Sequence, residues 1–252
     1  MNSLLNELEK YLKPPIEIKK GTQQGWTSTV FELRNSEGEY ILKICENSKY
    51  KEWLREETEV LKGEKISFEN LVPKYIAFFY EREYACLLMT KLPGHNLTQA
   101  LKSSKNDTER LRLIESFGTF LKEFHEQPIL NNHLQNNWLD EQLHQAKVYA
   151  ENGLCDGSLE LWMKLNNKRP KPIKSTWIHG DCTTDNVMVY SGKVIAFIDV
   201  AFMKIGDSRY DEALAIRKFS DKEKEAFYRG YKCYKIDSEE FEYFNNGLYE
   251  FF

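Results

Sequence analysis

The chain has 252 residues, 41% of them apolar, 29% charged and 13% aromatic, with a formal net charge of -4. That length suits one large domain or two joined lobes that fold without staples, and the composition excludes intrinsic disorder and low-complexity classes. The charge gives no electrostatic reason to expect nucleic acid, and apolar runs such as Tyr75 to Tyr80 are far too short to span a bilayer. The N-terminal MNSLLNELEKYLK has no cleavable apolar core, so no secretory signal is read there and a soluble, cytoplasmic protein without a membrane partner is expected. Five cysteines without a CxxC pair form neither a disulfide framework nor a zinc site.

In chain order, a short amphipathic helix (Leu4, Leu5, Leu8, Leu12) is expected before Pro14-Pro15. Three strand-like runs follow, IEIKK, TSTVFEL and EYILKI, the last two joined by a turn at Asn35-Ser36-Glu37-Gly38. Ser48 is placed as the cap of a helix that stops at Gly63. KYIAFFY and YACLLM, separated by Glu81-Arg82-Glu83, are read as buried central strands of a sheet. Pro93-Gly94 is the candidate boundary between residues 1–92 and 93–252.

Beyond it the periodicity is helical. Leu111, Ile114, Phe117, Leu121 and Phe124 form one apolar stripe, Leu139, Leu143, Ala146 and Tyr149 a second, and Leu159, Trp162 and Leu165 a third. Ser220 and Glu223 carry a capping-box signature. A last helix from about Ser238 is expected to show Phe241, Phe244, Leu248 and Phe251 on one side.

The most informative segment is WIHGDCTTDNVMVYSGKVIAFIDVAF. NVMVY and KVIAFID read as two strands joined by a turn at Ser191-Gly192. A hairpin centred there sets Asn186 opposite Asp199, two oxygen ligands suited to Mg2+, with Asp181 over the same end. One carboxylate to take a hydroxyl proton, with an Asn and a second Asp for the metal, is what phosphoryl transfer requires, and D-x-x-x-x-N followed by a later Asp is the protein-kinase layout. That chemistry also needs a strand Lys anchored by a helix Glu. Lys43 lies inside the apolar YILKI run, and Glu57 falls near the centre of the next helix's apolar stripe. Gly21 and Gly25 bound a turn that could cover phosphates, with Thr27 and Ser28 as donors. Met89, Thr90, Lys91 and Leu92 lie where a connector between lobes would meet adenine.

HGDCTTDN, FIDVAF and GDSRYDEA, together with TSTVFEL, YILKI, REETEVL and LLMTKLPG, resemble the aminoglycoside phosphotransferase family of small-molecule kinases. The resemblance implies an α+β fold of the two-lobed, protein-kinase-like kind, with a β-rich nucleotide-binding N-lobe (1–92) and a mainly helical C-lobe (93–252). It implies ATP and Mg2+ as cofactors, Asp181 as catalytic base, Asn186 and Asp199 as metal ligands, and Lys43 with Glu57 as the phosphate-anchoring pair. Asp207 and Asp211 match positions that support the catalytic loop from behind, and His125 matches a structural helix histidine. The ending NNGLYEFF resembles that of the 3′-phosphotransferases, which nominates Glu250 and the terminal Phe252 for an amino sugar. The chain departs from that pattern in carrying Ala201-Phe202 where a Gly-Arg pair is usual, and in residues 131–178, where five acids face six bases. Residues 219–252 lean acidic, eight acids against five bases.

The expectation is therefore an O-phosphotransferase acting on a small-molecule hydroxyl acceptor, with a cationic aminoglycoside favoured. Its rivals are a metabolic kinase of an amino alcohol, sugar derivative or other hydroxyl metabolite, and a catalytically silent nucleotide-binding module. Either a monomer or a homodimer is compatible with the sequence.

Overall fold

The structure, a computed structural model, describes residues 2–22, 24–25, 27–63, 70–129 and 137–252. Gln23 and Trp26 of the glycine-bounded turn, and residues 131–136 of the 131–178 region, lie outside the described residues. The chain divides into two compact units, Met1–Gly94 with Ile195–Phe202, and His95–Val194 with Met203–Phe252.

The first unit opens with helix α1 (Asn2–Leu8) and holds β1 (Glu17–Lys20), β2 (Thr29–Arg34), β3 (Glu39–Cys45), helix α2 (Ser48–Lys62), β4 (Tyr75–Glu81) and β5 (Tyr84–Thr90). The strands form one antiparallel sheet in the order β1-β2-β3-β5-β4. Contrary to the expectation that both KYIAFFY and YACLLM are central strands, of these two β5 is interior, with five consecutive buried residues, while β4 is an edge. β4 alternates instead: Ala77 and Phe79 point into a core shared with Leu8, Leu12, Leu33, Leu42 and Leu88, and α1 and its following turn supply the cover. The turn between β2 and β3 closes through the Asn35 side chain, which accepts from the Glu37 and Gly38 N–H groups at 2.8 and 3.1 Å.

Helix α2 starts one residue earlier than the Ser48 cap predicts. The Asn47 side chain accepts from the Lys49 N–H at 2.9 Å, satisfying a donor that has no partner within the helix, and Ser48 is the first helical residue. Gly63 ends it in the left-handed region, φ 68°.

The second unit holds β6 (His95–Asn96), α3 (Leu97–Lys102), α4 (Asp107–His125), α5 (Trp138–Glu151), α6 (Leu159–Asn167), β7 (Thr176–Ile178), β8 (Val187–Tyr190), the start of β9 (Lys193–Phe197), β10 (Lys204–Gly206), α7 (Ser208–Ile216), α8 (Asp221–Tyr231) and α9 (Ser238–Phe244). β8 pairs with β6, and β7 with β10. Ser191 and Gly192, φ 50° and 76°, make the two-residue turn after β8, with both residues in the left-handed region that a type I′ turn demands. The core is built on α4 and α8, whose stripes carry Phe117, Leu121, Phe124, Phe227 and Tyr231. The Ser220–Glu223 capping box forms at the start of α8.

The last helix is shorter than expected. α9 ends at Phe244, and a 3-10 turn, Leu248–Phe251, follows. The break is at Gly247, where an added Cβ would lie 2.4 Å from the Tyr243 carbonyl and 2.6 Å from Leu165. Tyr243 and Phe244 are buried while Phe241 is only partly so; Leu248 and Phe251 are fully buried from the separate turn.

Gly118 of α4 and Gly230 of α8 let the two helix backbones touch. A Cβ on Gly230 would lie 2.0 Å from the Glu115 carbonyl, and one on Gly118 2.1 Å from the Phe227 carbonyl. Helix propensity alone would favour alanine by about 1 kcal/mol. Gly230→Ala is instead expected to destabilise by about 2–3 kcal/mol, because backbone has to move. A urea midpoint shifted downward checks this, and an unchanged or raised midpoint would sink it.

Candidate active site

In the second unit, the segment between β7 and β8 carries Asp181 and Asn186. The Asn186 amide donates to the Asp181 carbonyl at 3.0 Å and to Asp181 Oδ2 at 2.7 Å. Both amide protons are thus directed at Asp181, and Asn186 turns its oxygen to the rest of its surroundings. The Asp181 N–H donates to His179 Nδ1 at 3.2 Å, and the Thr183 N–H to the Asp181 carbonyl at 2.8 Å, closing a tight turn.

The turn is held from behind by one carboxylate. Asp211, fully buried on α7, accepts from the His179 N–H at 2.6 Å and the Gly180 N–H at 2.8 Å. His125, at the end of α4, lies 3.2 Å from the same Asp211 oxygen through Nε2 and 2.8 Å from the Tyr231 hydroxyl through Nδ1. Asp207 does something else. It caps α7 through the Arg209 N–H at 3.0 Å and pairs with the Arg209 guanidinium at 2.6 Å, which also reaches Glu240 at 2.6 Å. Of the two acidic positions expected behind the loop, Asp211 bonds its backbone, while Asp207 holds Arg209, which ties α7 to α9 through Glu240.

The first unit carries the cation. Lys43 of β3 donates to both Glu57 oxygens at 2.7 Å and pairs with Asp199, which follows β9. Burial works against the ammonium, but the two carboxylates outweigh it and its pKa is raised. The Val200 N–H also donates to Glu57. Asp199 itself sits at φ 57°, a left-handed backbone that Asp tolerates better than most residues. Phe202 packs edge-on against Trp53 of α2, with ring centres 5.0 Å apart; Trp53 lies one helical turn before Glu57. Lys49 lies 4.9 Å over the same Trp53 ring.

Thr27 and Ser28 precede β2 and are half-buried. Met89 and Thr90 are not in a connector: both belong to β5, Met89 opposite Ile41 and Thr90 opposite Tyr40. The Thr90 N–H goes to the Lys74 carbonyl and the Lys91 N–H to the Glu39 carbonyl, each at 3.0 Å, and of the four only Lys91 and Leu92 fall past the strand. At the C-terminus Glu250 is exposed, and the Phe252 ring packs edge-on against Tyr149.

The neighbour of Asp181 at this end is Tyr249, which the sequence reading did not nominate. Its hydroxyl donates to Asp181 Oδ1 at 3.4 Å, and the Arg217 guanidinium lies 4.4 Å over its ring. Burial, then the Asp181 charge, pushes the phenol up to about 12. The only signal in the sequence was its place beside Glu250 in NNGLYEFF.

Strands first and helices after, a buried strand Lys paired with a helix Glu, and an Asp-Asn loop held by a buried carboxylate together define a protein-kinase-like α+β fold. The chain belongs to the phosphotransferase enzyme family, which it matches over residues 20–241. An aminoglycoside 3'-phosphotransferase of Escherichia coli is 27% identical over 154 residues, 57% of this chain and 56% of that protein. A second, of Salmonella typhimurium, matches to the same extent. The matched stretch thus spans little more than half the length of these curated relatives. The crystal structure of an aminoglycoside-3'-phosphotransferase of type VIII superposes with a TM-score of 0.81 at 21% identity, covering 100% of this chain and 99% of that one. The streptomycin-ATP-APH(2")-IIa ternary complex superposes with a TM-score of 0.62 at 18% identity, covering 93% and 84%. No helix among the described residues is long and apolar enough to cross a membrane.

Two outcomes are expected. Lys43→Met leaves the Glu57 carboxylate buried without its cation and should destabilise the fold by about 3–5 kcal/mol, most of it recovered by adding Glu57→Leu; chemical denaturation of the two variants measures this. Glu212, fully buried on α7, has its carboxyl pushed up to about 8 by burial, against the Tyr228 hydroxyl and Ile236 N–H that both bond Oε1. A carboxyl raised in the folded state stabilises below its ordinary value of 4.5, and that contribution is lost as pH rises towards about 8. Thermal melting should therefore fall more steeply across that window in the native protein than in Glu212→Gln; parallel curves would refute it.

Proposed function

We propose that this chain is an ATP- and Mg2+-dependent O-phosphotransferase that moves the γ-phosphoryl group of ATP to a hydroxyl of a small molecule. The observation that carries it is the Asp181–Asn186 pair on a turn held by Asp211, in a chain of the phosphotransferase family.

Asp181 acts as the base. It takes the proton of the acceptor hydroxyl as the oxygen bonds to the γ-phosphorus, and the bond from that phosphorus to the β–γ bridging oxygen breaks to release ADP. On this reading Asn186 and Asp199 are the ligands of a hard cation. Both offer oxygen, the Asn186 amide protons are spent on Asp181, and half the Asp199 side chain is exposed. Bound Mg2+ would neutralise charge on the triphosphate. Lys43, held by Glu57, does the same for the α- and β-phosphates. Thr27 and Ser28 offer donors to the phosphates, and Met89, Thr90 and Leu92 line the adenine position. For Met89 and Thr90, which lie within β5, that contact is by side chain or carbonyl. ATP in the streptomycin complex of a fold neighbour supports a nucleotide as donor.

The acceptor we favour is an aminoglycoside, with Glu250 and the Phe252 carboxylate taking its ammonium groups. Support comes from the 27% identical relatives named for that activity and from the acidic C-terminal region. A metabolic kinase of a less cationic hydroxyl compound is the second reading, favoured by the Arg217 guanidinium beside Tyr249. We place the enzyme in the cytoplasm, where ATP is available, as a monomer or homodimer.

The experiment is Mg2+-dependent ADP release from ATP, against aminoglycosides and hydroxyl metabolites. Acceptor-stimulated release is expected, reduced by at least about 100-fold in Asp181→Asn. Asn186→Ala and Asp199→Ala should weaken Mg2+-dependent nucleotide binding. An unchanged rate in Asp181→Asn refutes the base assignment, and nucleotide binding with no turnover on any acceptor would point to a silent binding module.

A further inference from the structure

The two oxygens of the Asp181 carboxylate are treated differently. Oδ2 is pinned by the Asn186 amide at 2.7 Å, a bond of full strength. Oδ1 meets the Tyr249 hydroxyl at 3.4 Å, at the long end of hydrogen bonding and therefore readily displaced. Tyr249 cannot drift from this place. Leu248 and Phe251, on either side of it in the same 3-10 turn, are fully buried, and Arg217, the residue that ends α7, covers its ring.

We infer that Tyr249 is a specificity-determining residue that makes Asp181 choose between an acceptor hydroxyl and water; this rests on the assignment of Asp181 as the base. With no acceptor present, the phenol occupies Oδ1. A water molecule that lost its proton to Oδ1 and attacked the γ-phosphorus would release phosphate and ADP, so its approach has to be opposed. Water brings no binding energy beyond the hydrogen bond it would replace and gains nothing by displacing the phenol. An acceptor anchored by its other groups does bring such energy, and its hydroxyl takes over the bond to Oδ1 as the phenol O–H rotates away, while the ring and guanidinium remain as a flat wall beside it. Transfer then proceeds as the acceptor oxygen bonds to phosphorus and its proton goes to Oδ1.

The test uses the full chain with Mg2+-ATP, and water itself is the first probe. Tyr249→Phe keeps the ring, its packing and the buried residues on either side, and removes only the hydroxyl. Acceptor-independent ADP release should rise about five-fold, the worth of one weak hydrogen bond to a charged group. With a stimulating acceptor, KM should fall by a similar factor while kcat stays within about two-fold. Arg217→Met loosens the phenol without touching the C-terminal turn and should raise acceptor-independent release in the same direction. A merely structural role predicts that hydrolysis and transfer fall together, and that result overturns the inference, as does acceptor-independent release at the native level in both variants. Asp181→Asn separates the two failures. If it abolishes release while both variants behave as the native protein, Tyr249 is a bystander and the base stands; if it changes nothing, the base assignment has failed.

Discussion

A fully buried carboxylate has to be satisfied by donors, and Asp211 is satisfied by the backbone of the loop that carries Asp181. The N–H groups of His179 and Gly180 both point at it, and His125 completes its coordination from the opposite helix. Two consecutive amides aimed at one side chain fix the peptide planes, and with them the direction in which Asp181 leaves the chain. Gly180, at φ 82°, takes the left-handed backbone that this double bond requires. His125 and Tyr231 come from α4 and α8, whose close approach depends on Gly118 and Gly230. The position of Asp181 is thus coupled to how tightly two helices pack.

The first unit solves a related problem with the opposite charge. Lys43 lies on a strand buried between its neighbours, where an ammonium alone would be costly. Glu57 is turned inward from α2 to meet it, and Asp199 completes a three-membered charge cluster. The Val200 N–H to Glu57 and the Phe202–Trp53 contact join α2 to the same short segment. Phe202 therefore ties this segment to α2 by packing. A change at Phe202 would be felt at Glu57, since both Trp53 and Glu57 belong to one rigid helix.

Local patterns carried most of the secondary structure. The three N-terminal strands, α2, α4 and the Ser220–Glu223 box follow from alternation, helical stripes and capping residues, all short-range properties. The departures from it have longer-range causes. Asn47 and Ser48 are both good caps, and only the chain's approach to the helix selects Asn47. The apolar run from Phe241 to Phe251 suits one helix until Leu165 presses on Gly247, a contact made across many residues of sequence. KYIAFFY reads as a central strand because its outer face is also aromatic, with Phe78 and Tyr80 packed edge-on at 5.5 Å.

The candidate site residues stand out in the sequence for a different reason. Asp181, Asn186, Asp199, Lys43 and Glu57 are polar groups set within apolar segments, and such placements are rare unless partners or ligands compensate them. Sequence alone therefore determined the order of elements, the family and which side chains carry charge into the interior. Tertiary structure alone decided which partners they meet: that Asp211 bonds the loop while Asp207 pairs with Arg209, that Thr90 belongs to a strand, and that Tyr249 meets Asp181 while Glu250 is exposed. Those outcomes depend on distances between segments far apart in the chain, and no local pattern of residues encodes them.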